Sequence, residues 1–167
     1  PGQHGQLPTK ASEYSIRLRE KQKARRTYGL SERQFRTYFE KSLKWRGVTG
    51  EKLLELLERR LDNVMFRLGF ASSRAQARQV VRHGHVIVNN RKVNIPSFQV
   101  KKGDLIKVKE GYAPKVKALM EKATERKAPS WLSVMADVLE AKIESMPKRE
   151  DISEPITESL IVEFYSR

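Results

Sequence analysis

The stretch that decides the fold runs from Arg60 to Val93 and reads RLDNVMFRLGFASSRAQARQVVRHGHVIVNNRKV. Ser73 and Gln76 stand three residues apart, which is the spacing of a capping box, where each side chain satisfies a free backbone N–H of the other at a helix start. Gly84 can adopt the left-handed conformation in which helices commonly end. The stretch therefore predicts a helix between Ser73 and Gly84.

The predicted helix carries a row of arginines. Arg74, Arg78 and Arg82 recur every four residues, so each is displaced by only about 40° from the last on a helix of ~3.6 residues per turn. Ala77 and Val80 lie about a third of a turn away and give the helix a core-facing side. The pattern predicts a cationic stripe that is free for a partner and suits phosphate groups.

A small antiparallel sheet is predicted after this helix. Beyond Gly84 the apolar period changes from 3.6 to 2 in HVIV, and Asn89 and Asn90 can take the positive φ that tight hairpin turns demand. Residues 102–104 predict a second turn, followed by a strand in LIKVK. We predict two further strands at residues 142–146 and 160–165, the latter from its LIVEFY composition.

The remaining segments are predicted to be mainly helical. After an opening loop at residues 1–10, helices are expected over 12–28, from a second capping box at Ser31 and Gln34, from a cap at Thr49 to Gly69, and over 115–127. In the second of these, an apolar stripe at helical spacing is interpreted as core. That stripe contains Phe35, Tyr38, Phe39 and Leu43.

Composition favours a polyanionic partner. The 167 residues carry a formal charge of +14 and a pI near 10.1, which indicates nucleic acid ahead of an anionic membrane. No apolar run approaches the ~20 residues of a membrane span and no secretory signal is seen, so we expect a cytosolic protein. The absence of cysteine excludes disulfides, thiolate zinc sites and cysteine nucleophiles.

The charge is unevenly distributed. Residues 1–50 contain 12 Lys/Arg against 4 Asp/Glu, residues 51–110 contain 13 against 6, and residues 111–167 contain 9 against 10. The first two-thirds should therefore hold the electrostatic surface that binds the partner. The last third is predicted to be scaffold.

Catalytic and metal chemistry find little support in the sequence. The three histidines have no helical metal-site spacing, and no nucleophile elbow, phosphate-binding loop or dinucleotide motif occurs. We predict no enzyme activity, no metal and no cofactor. Asp62 is interpreted as a partner that positions arginines, and His83 and His85 either hydrogen-bond to phosphate or ribose or are merely solvated.

Two basic surfaces together suit structured RNA better than a uniform duplex, because a junction offers separate backbone segments. One surface is the stripe with the hairpin, and the other is the basic helix near the start. The candidate RNA-binding residues are Arg17, Lys21, Lys23, Arg25, Arg26, Arg60, Ser73, Arg74, Arg78, Arg82, His83, His85 and Lys92.

Residues 60–108 resemble the S-four (S4) type of RNA-binding domain. The motifs are Arg60-Leu61-Asp62, then GFASSR at 69–74, Ala77-Arg78-Gln79 and GHVIVNN at 84–90, where Asn90 replaces the family's glycine. The flanks PGQHGQ, SEYSIRLREKQKARRTYGLSERQF and ESLIVEFYSR resemble bacterial and organellar ribosomal proteins of the S-four family. That family's chains begin with a further basic segment, which this sequence lacks.

The resemblance implies an α+β fold in which an α-helical domain is interrupted by a domain with about five antiparallel strands backed by helices. We assign residues 1–50 to the helical domain, with 112–135 as its candidate completion, and 51–111 to the S-four-type domain, with its sheet completed by 136–167.

The resemblance also implies a structural constituent of the small ribosomal subunit that binds the 5′ domain of its ribosomal RNA at a helix junction, early in assembly, and that influences decoding accuracy. Ribosomal protein S-five and the messenger RNA of its own operon are implied partners. The location would be the cytoplasmic ribosome, or an organellar matrix or stroma. The alternatives are the RNA-binding accessory module of an RNA-modifying enzyme and a DNA-binding regulator.

Overall fold

The computed structural model describes residues 10–123 and 126–166, and over these residues it shows seven helices and a five-stranded sheet, which confirms the predicted α+β class. The predicted loop at 1–10 falls outside the described residues except for its last position, as do two positions of the helix predicted at 115–127. The helices are α1 (Glu13–Thr27), α2 (Glu32–Leu43), α3 (Thr49–Glu58), α4 (Leu61–Arg67), α5 (Arg74–Arg82), α6 (Ala113–Lys122) and α7 (Glu158–Tyr165). The strands are β1 (Val86–Val88), β2 (Arg91–Lys92), β3 (Leu105–Val108), β4 (Leu132–Met135) and β5 (Glu140–Ile143).

The sheet is wholly antiparallel in the order β2-β1-β3-β5-β4. The β1–β2 hairpin turns at Asn89 and Asn90, whose φ angles are 49° and 65°, as the sequence predicts. Asn89 also ties the turn to β3, because its side chain accepts from the Leu105 N–H at 2.9 Å and donates to Asp104 at 2.9 Å. The asparagine pair therefore sets the hairpin register and fixes the hairpin against its neighbour.

The predicted starts of α2 and α5 are confirmed. Ser31 and Gln34 form the reciprocal capping box, and the Ser73 hydroxyl accepts from the Gln76 N–H at 3.1 Å. The return contact of the second cap differs, because the Gln76 side chain accepts from the Ser72 N–H at 2.6 Å instead. Gly84 follows the end of α5 with φ +72°, which is the left-handed conformation predicted for it.

Two details of the helical region were predicted wrongly. Leu43 belongs to the apolar stripe by spacing but is 55% exposed, because α2 ends at this residue and the chain turns away from the core. Thr49 is not a cap, since Val48 occupies that position and makes no side-chain cap hydrogen bond.

The single long helix predicted up to Gly69 is in fact two helices. The chain breaks at Arg59 and Arg60, where Arg60 is extended with ψ 136° and pairs with Gln99. The N–H groups of the next two residues, which begin α4, donate to carbonyls of residues 98 and 96. Continuous leucine spacing does not reveal this break, because the partner segment lies almost 40 residues further on.

The strand predicted at residues 160–165 is wrong, since these residues form α7. Ile161 is fully buried on the helical side of the molecule, and Tyr165 stacks on Phe39 with ring centroids 4.6 Å apart. The strand predicted at 142–146 overlaps the observed β5, and β4 was not predicted. The composition of the last segment favoured a strand, but α1 and α3 provide a helical packing surface for it.

The buried apolar residues form two separate cores, called here the sheet core and the helical core. The sheet core gathers residues from Leu61 to Ile143, including Val116 of α6, and the helical core joins residues from Ala24 to Leu57 with Ile152 and Ile161. We therefore propose a domain boundary between α3 and α4 in place of the one expected after residue 50, with the chain returning to the helical domain after β5. Residues 112–135 were expected to complete the helical domain, but Val116 and Trp131 pack in the sheet core.

Candidate nucleic-acid interface

The arginine stripe on α5 faces a neighbouring part of the protein for most of its length. The Arg74 guanidinium donates to Glu154 at 2.6 Å and to Asn63 at 2.9 Å, and it lies 5.0 Å from the centre of the Tyr28 ring. Arg78 donates to Asp62 at 3.2 Å and to the backbone carbonyls of residues 28 and 29. The prediction that the whole stripe is free for a partner was therefore wrong for these two arginines. Arg82, at the end of α5, is exposed.

A buried carboxylate organises the contact between the two cores. Glu58, at the end of α3, has no exposed surface and accepts four hydrogen bonds from side chains. Its Oε1 accepts from the Tyr28 hydroxyl at 2.6 Å and from Arg67 at 2.7 Å, and its Oε2 accepts from Asn63 at 3.0 Å and from Arg67 at 3.1 Å. Arg67 also contacts Glu154, so one guanidinium bridges two acids.

The pKa values at this contact follow from its geometry. Burial disfavours the charge on Glu154, but the hydrogen bonds and charges of Arg67 and Arg74 outweigh it and lower its pKa to about 2. Burial and the neighbouring Glu58 carboxylate raise the pKa of the Tyr28 hydroxyl well above 10.0. Both groups are thus held in the protonation states that the hydrogen bonds require at neutral pH.

Asp62 positions arginines, which confirms its interpretation from the sequence. Arg60 donates to both carboxylate oxygens of Asp62, at 3.1 and 3.0 Å, and to the Tyr38 hydroxyl at 2.8 Å. Arg60 is only 3% exposed. Of the predicted binding residues it is one of the two that are buried, so its guanidinium is not presented at the surface.

Helix α1 divides its cations between two faces. Lys21 is buried and its Nζ lies 2.6 Å from Glu32, while Arg17 and Arg25 are partly buried and contact acids as well. The outer face is different, because its cations are exposed and line a shallow groove together with Leu18, Gln22 and Thr27, although the Lys23 Nζ also lies 2.9 Å from Glu20. These outer residues are Arg19, Lys23 and Arg26.

A second exposed basic surface surrounds the β1–β2 hairpin. His85 stacks on Tyr112 with ring centroids 4.2 Å apart and planes at 11°. Burial and the nearby positive groups of His83, Lys109, Lys115 and Lys92 lower the pKa of His85. Arg82 ends the helix immediately before this group, so we define the hairpin surface as Arg82, His83, His85, Lys92, Lys109, Tyr112 and Lys115.

Sequence reasoning missed four members of these surfaces. Arg19 is four and seven residues from Lys23 and Arg26, so helical spacing could have separated this exposed row from the inward-facing cations. Lys109, Tyr112 and Lys115 reach the hairpin only through the pairing of β1 with β3. Local sequence gives no signal for that proximity. Ser73, also predicted, is exposed and its hydroxyl is used as the α5 cap.

Other types of site are not seen in the described part of the chain. Residues 10–123 and 126–166 contain no group of three or more His, Cys, Asp or Glu side chains that could hold a metal ion. Within the same residues, no helix combines the length and the apolar character needed to cross a membrane.

Comparisons with known proteins match the whole chain. A family model described as the S4 domain matches residues 59–106, and one described as the ribosomal protein S4/S9 N-terminal domain matches residues 1–58. The chain is 56% identical over 169 residues to the small ribosomal subunit protein uS4 of Pelotomaculum thermopropionicum, covering 100% of this chain and 81% of the relative. The proteins of the same name from Acetivibrio thermocellus and Gloeobacter violaceus are 55% and 56% identical, with the same coverage.

Proposed function

Because the chain belongs to the family of small ribosomal subunit protein uS4, whose members are structural ribosomal proteins and not enzymes, we propose that it binds the small-subunit ribosomal RNA at a junction of helices in the 5′ domain. The observation that carries the proposal is the presence of two exposed basic surfaces on one framework. One is the outer face of α1, and the other is the hairpin surface. The accessory module of a modifying enzyme is disfavoured, since the uS4 relatives align with the chain from end to end.

Phosphate neutralisation would supply most of the affinity. Seven exposed or partly exposed cations lie on the two surfaces, and each phosphate contact contributes about 0.7 to 0.9 to the slope of log K against log salt. Full engagement would give a slope of about −5 to −6. These cations are Arg19, Lys23, Arg26, Arg82, Lys92, Lys109 and Lys115.

Arg74 and Arg78 act in this proposal as positioning residues. They join α5, which leads into the hairpin, to the turn between α1 and α2 and to Glu154. The two basic surfaces are thereby held at a fixed separation, so that an RNA must present its phosphates at the matching separation to contact both. Shape selectivity follows from the framework and affinity from the exposed cations.

The family resemblance implies further roles that belong to the same proposal. Early binding during subunit assembly follows if the protein recognises the RNA alone, without other proteins. We also propose the ribosomal protein S-five as a neighbour and an influence on decoding accuracy. Repression of its own messenger RNA would use the RNA-binding surfaces a second time.

Charge reversal at Arg82 tests the binding proposal. Arg82→Glu should weaken binding of a 5′-domain transcript by about tenfold or more, because a hydrogen bond to a charged group contributes about 1.5 to 3 kcal/mol. Lys122→Glu on α6 is the matched control, since it changes net charge equally outside the two surfaces. Arg78→Glu would be a poor test, because it places a second carboxylate beside Asp62 and damages the fold.

Filter binding with the transcript, with an equal mass of duplex DNA as competitor, measures both affinity and selectivity. Equal losses from Arg82→Glu and Lys122→Glu, or equal competition by duplex DNA, would show that net charge alone determines binding.

A further inference from the structure

The last turn of α2 and the loop that leads to α3 expose both apolar and cationic side chains. Residues 41–48 read KSLKWRGV and contain three cations and no acid. Leu43, Trp45 and Val48 are 55%, 58% and 62% exposed. Large exposed apolar side chains concentrated in one basic segment are typical of a surface that a partner covers. We name residues 41–48 the α2–α3 loop patch.

A lysine covers part of the Trp45 ring, although the residue is 58% exposed. The Lys52 Nζ lies 3.8 Å from the ring centre on one face and donates to Glu55 at 2.9 Å, which fixes the ammonium group. The exposure of Trp45 therefore comes from the rest of the ring. Beside it lies an open groove of about 810 Å³, lined by Trp45 and Arg46 on one side and by residues 147–150 on the other.

We infer that the α2–α3 loop patch binds an unpaired RNA base, stacked on the open face of Trp45, with Lys44 and Arg46 contacting the adjoining phosphates. Charge complementarity selects RNA, because the α2–α3 loop patch carries three positive charges and no negative one. The groove lining combines acids with cations, so it offers acceptors to the polar edge of a base and positive charge to its phosphates. The acids are Glu51, Glu55 and Glu150, and the cations are Arg46, Lys52, Lys148 and Arg149.

This inference rests on the proposed function and goes beyond it, since the loop belongs to neither of the two basic surfaces. The contact would be sequence-tolerant, because every base offers a flat face to an aromatic ring. It would add affinity wherever the bound RNA has an unstacked nucleotide near the helical domain.

The two tryptophans of the chain make the inference directly measurable. Trp131 has no exposed surface and serves as an internal reference, whereas Trp45 is the exposed fluorophore. Addition of the 5′-domain transcript should quench tryptophan emission and protect it from iodide. In Trp45→Phe, emission should no longer respond to RNA, while filter binding should retain most of the affinity because phenylalanine still offers a ring.

Affinity gives the second readout. Trp45→Ala should weaken filter binding by about 5- to 150-fold, the range expected for the loss of one stacked base. Leu43→Ala is the matched control in the same patch, with similar exposure and no ring, and it should change affinity by less than about twofold because no base stacks on leucine.

The outcomes separate this inference from the proposed function. RNA binding without a change in Trp45 emission, or equal losses from Trp45→Ala and Leu43→Ala, overturns the stacking site and leaves the proposed function standing. An emission change that occurs only when other small-subunit proteins are added assigns the loop to a protein and also overturns it. The absence of RNA binding by filter assay overturns both.

Discussion

Replacing Glu58 by glutamine tests whether the buried carboxylate holds the two cores together. The carboxylate accepts two hydrogen bonds on each oxygen, from Tyr28 and Arg67 on one and from Asn63 and Arg67 on the other. Glutamine keeps one oxygen only. In one orientation the amide NH₂ faces the donors of Asn63 and Arg67, and in the other it faces Arg67 and the Tyr28 hydroxyl, which can turn to accept a hydrogen bond. In either orientation the negative charge is lost and Arg67 faces an opposed donor.

The expected loss of stability is about 3 to 5 kcal/mol, the cost of removing one partner of a buried ion pair. The residual contact between Arg67 and Glu154 limits the loss, because the guanidinium keeps one carboxylate. The free energy of unfolding of a typical domain is about 5 to 15 kcal/mol. Glu58→Gln should therefore remain folded in water but unfold at a much lower urea concentration than the unsubstituted protein.

Urea denaturation followed by circular dichroism at neutral pH measures this loss, and Glu55→Gln is the matched control. Glu55 lies one turn earlier on α3 and pairs with Lys52 at 2.9 Å and Arg59 at 3.3 Å, with 19% of its side chain exposed. Its replacement should cost less than that of Glu58, because water still reaches the Glu55 side chain and can solvate the groups left without a partner. A Glu58→Gln variant that loses no more than Glu55→Gln would refute the assignment of Glu58 as the organising group of the contact.

Three further predictions concern pH and the hairpin. Since folding raises the pKa of Tyr28 above 10.0, its contribution to the free energy of unfolding should be fully present below pH 10 and decline above it. Urea titrations of Tyr28→Phe should show a smaller decline at high pH, and an unchanged decline would contradict the reasoning. Since folding lowers the pKa of Glu154 from 4.5 to about 2, its contribution to the free energy of unfolding should be present above pH 4.5 and be lost as pH falls towards 2. The free energy of unfolding of Glu154→Gln should therefore fall less steeply with acid than that of the unsubstituted protein, and equal slopes would argue against this assignment. Asn90→Gly should change the free energy of unfolding by less than about 0.5 kcal/mol because glycine suits the second turn position, whereas Asn89→Gly should cost about 1 to 2 kcal/mol because two hydrogen bonds are lost. Equal shifts of the melting temperature for the two variants would refute the distinction.

Features with local causes could be predicted from the sequence. The start of α5 needs only Ser73 and its neighbours, and the hairpin needs two adjacent residues that tolerate positive φ. The same holds for α2, where Ser31 and Gln34 satisfy each other's backbone groups within one turn. In each case the interacting atoms belong to residues close together in the sequence, so the local sequence pattern is enough to predict the contact.

Features that depend on distant partners could not be predicted. The spacing correctly placed the arginines on one side of α5. However, Arg74 donates to Glu154, which lies 80 residues later in a segment that was interpreted only as scaffold. The near-neutral composition of the last third hid this role, because acids that neutralise a buried basic contact look like ordinary surface charge. The same limit explains α7, whose LIVEFY composition favours a strand when the packing surface on α1 is unknown.

The balance between bound and exposed arginines has a physical reason. Apolar contacts between two cores are non-directional and tolerate small rotations, whereas a guanidinium bound to a carboxylate fixes both distance and angle. Replacing the whole ionic contact, Glu58 included with Arg67, Arg74 and Glu154, by apolar residues of similar volume would therefore preserve stability while allowing the cores to reorient. For a protein that must distinguish one folded RNA from another of equal charge, such freedom would reduce selectivity before it reduced affinity. The arginines that bind carboxylates between the two cores therefore support the exposed ones, because they set the separation at which the exposed cations meet phosphates.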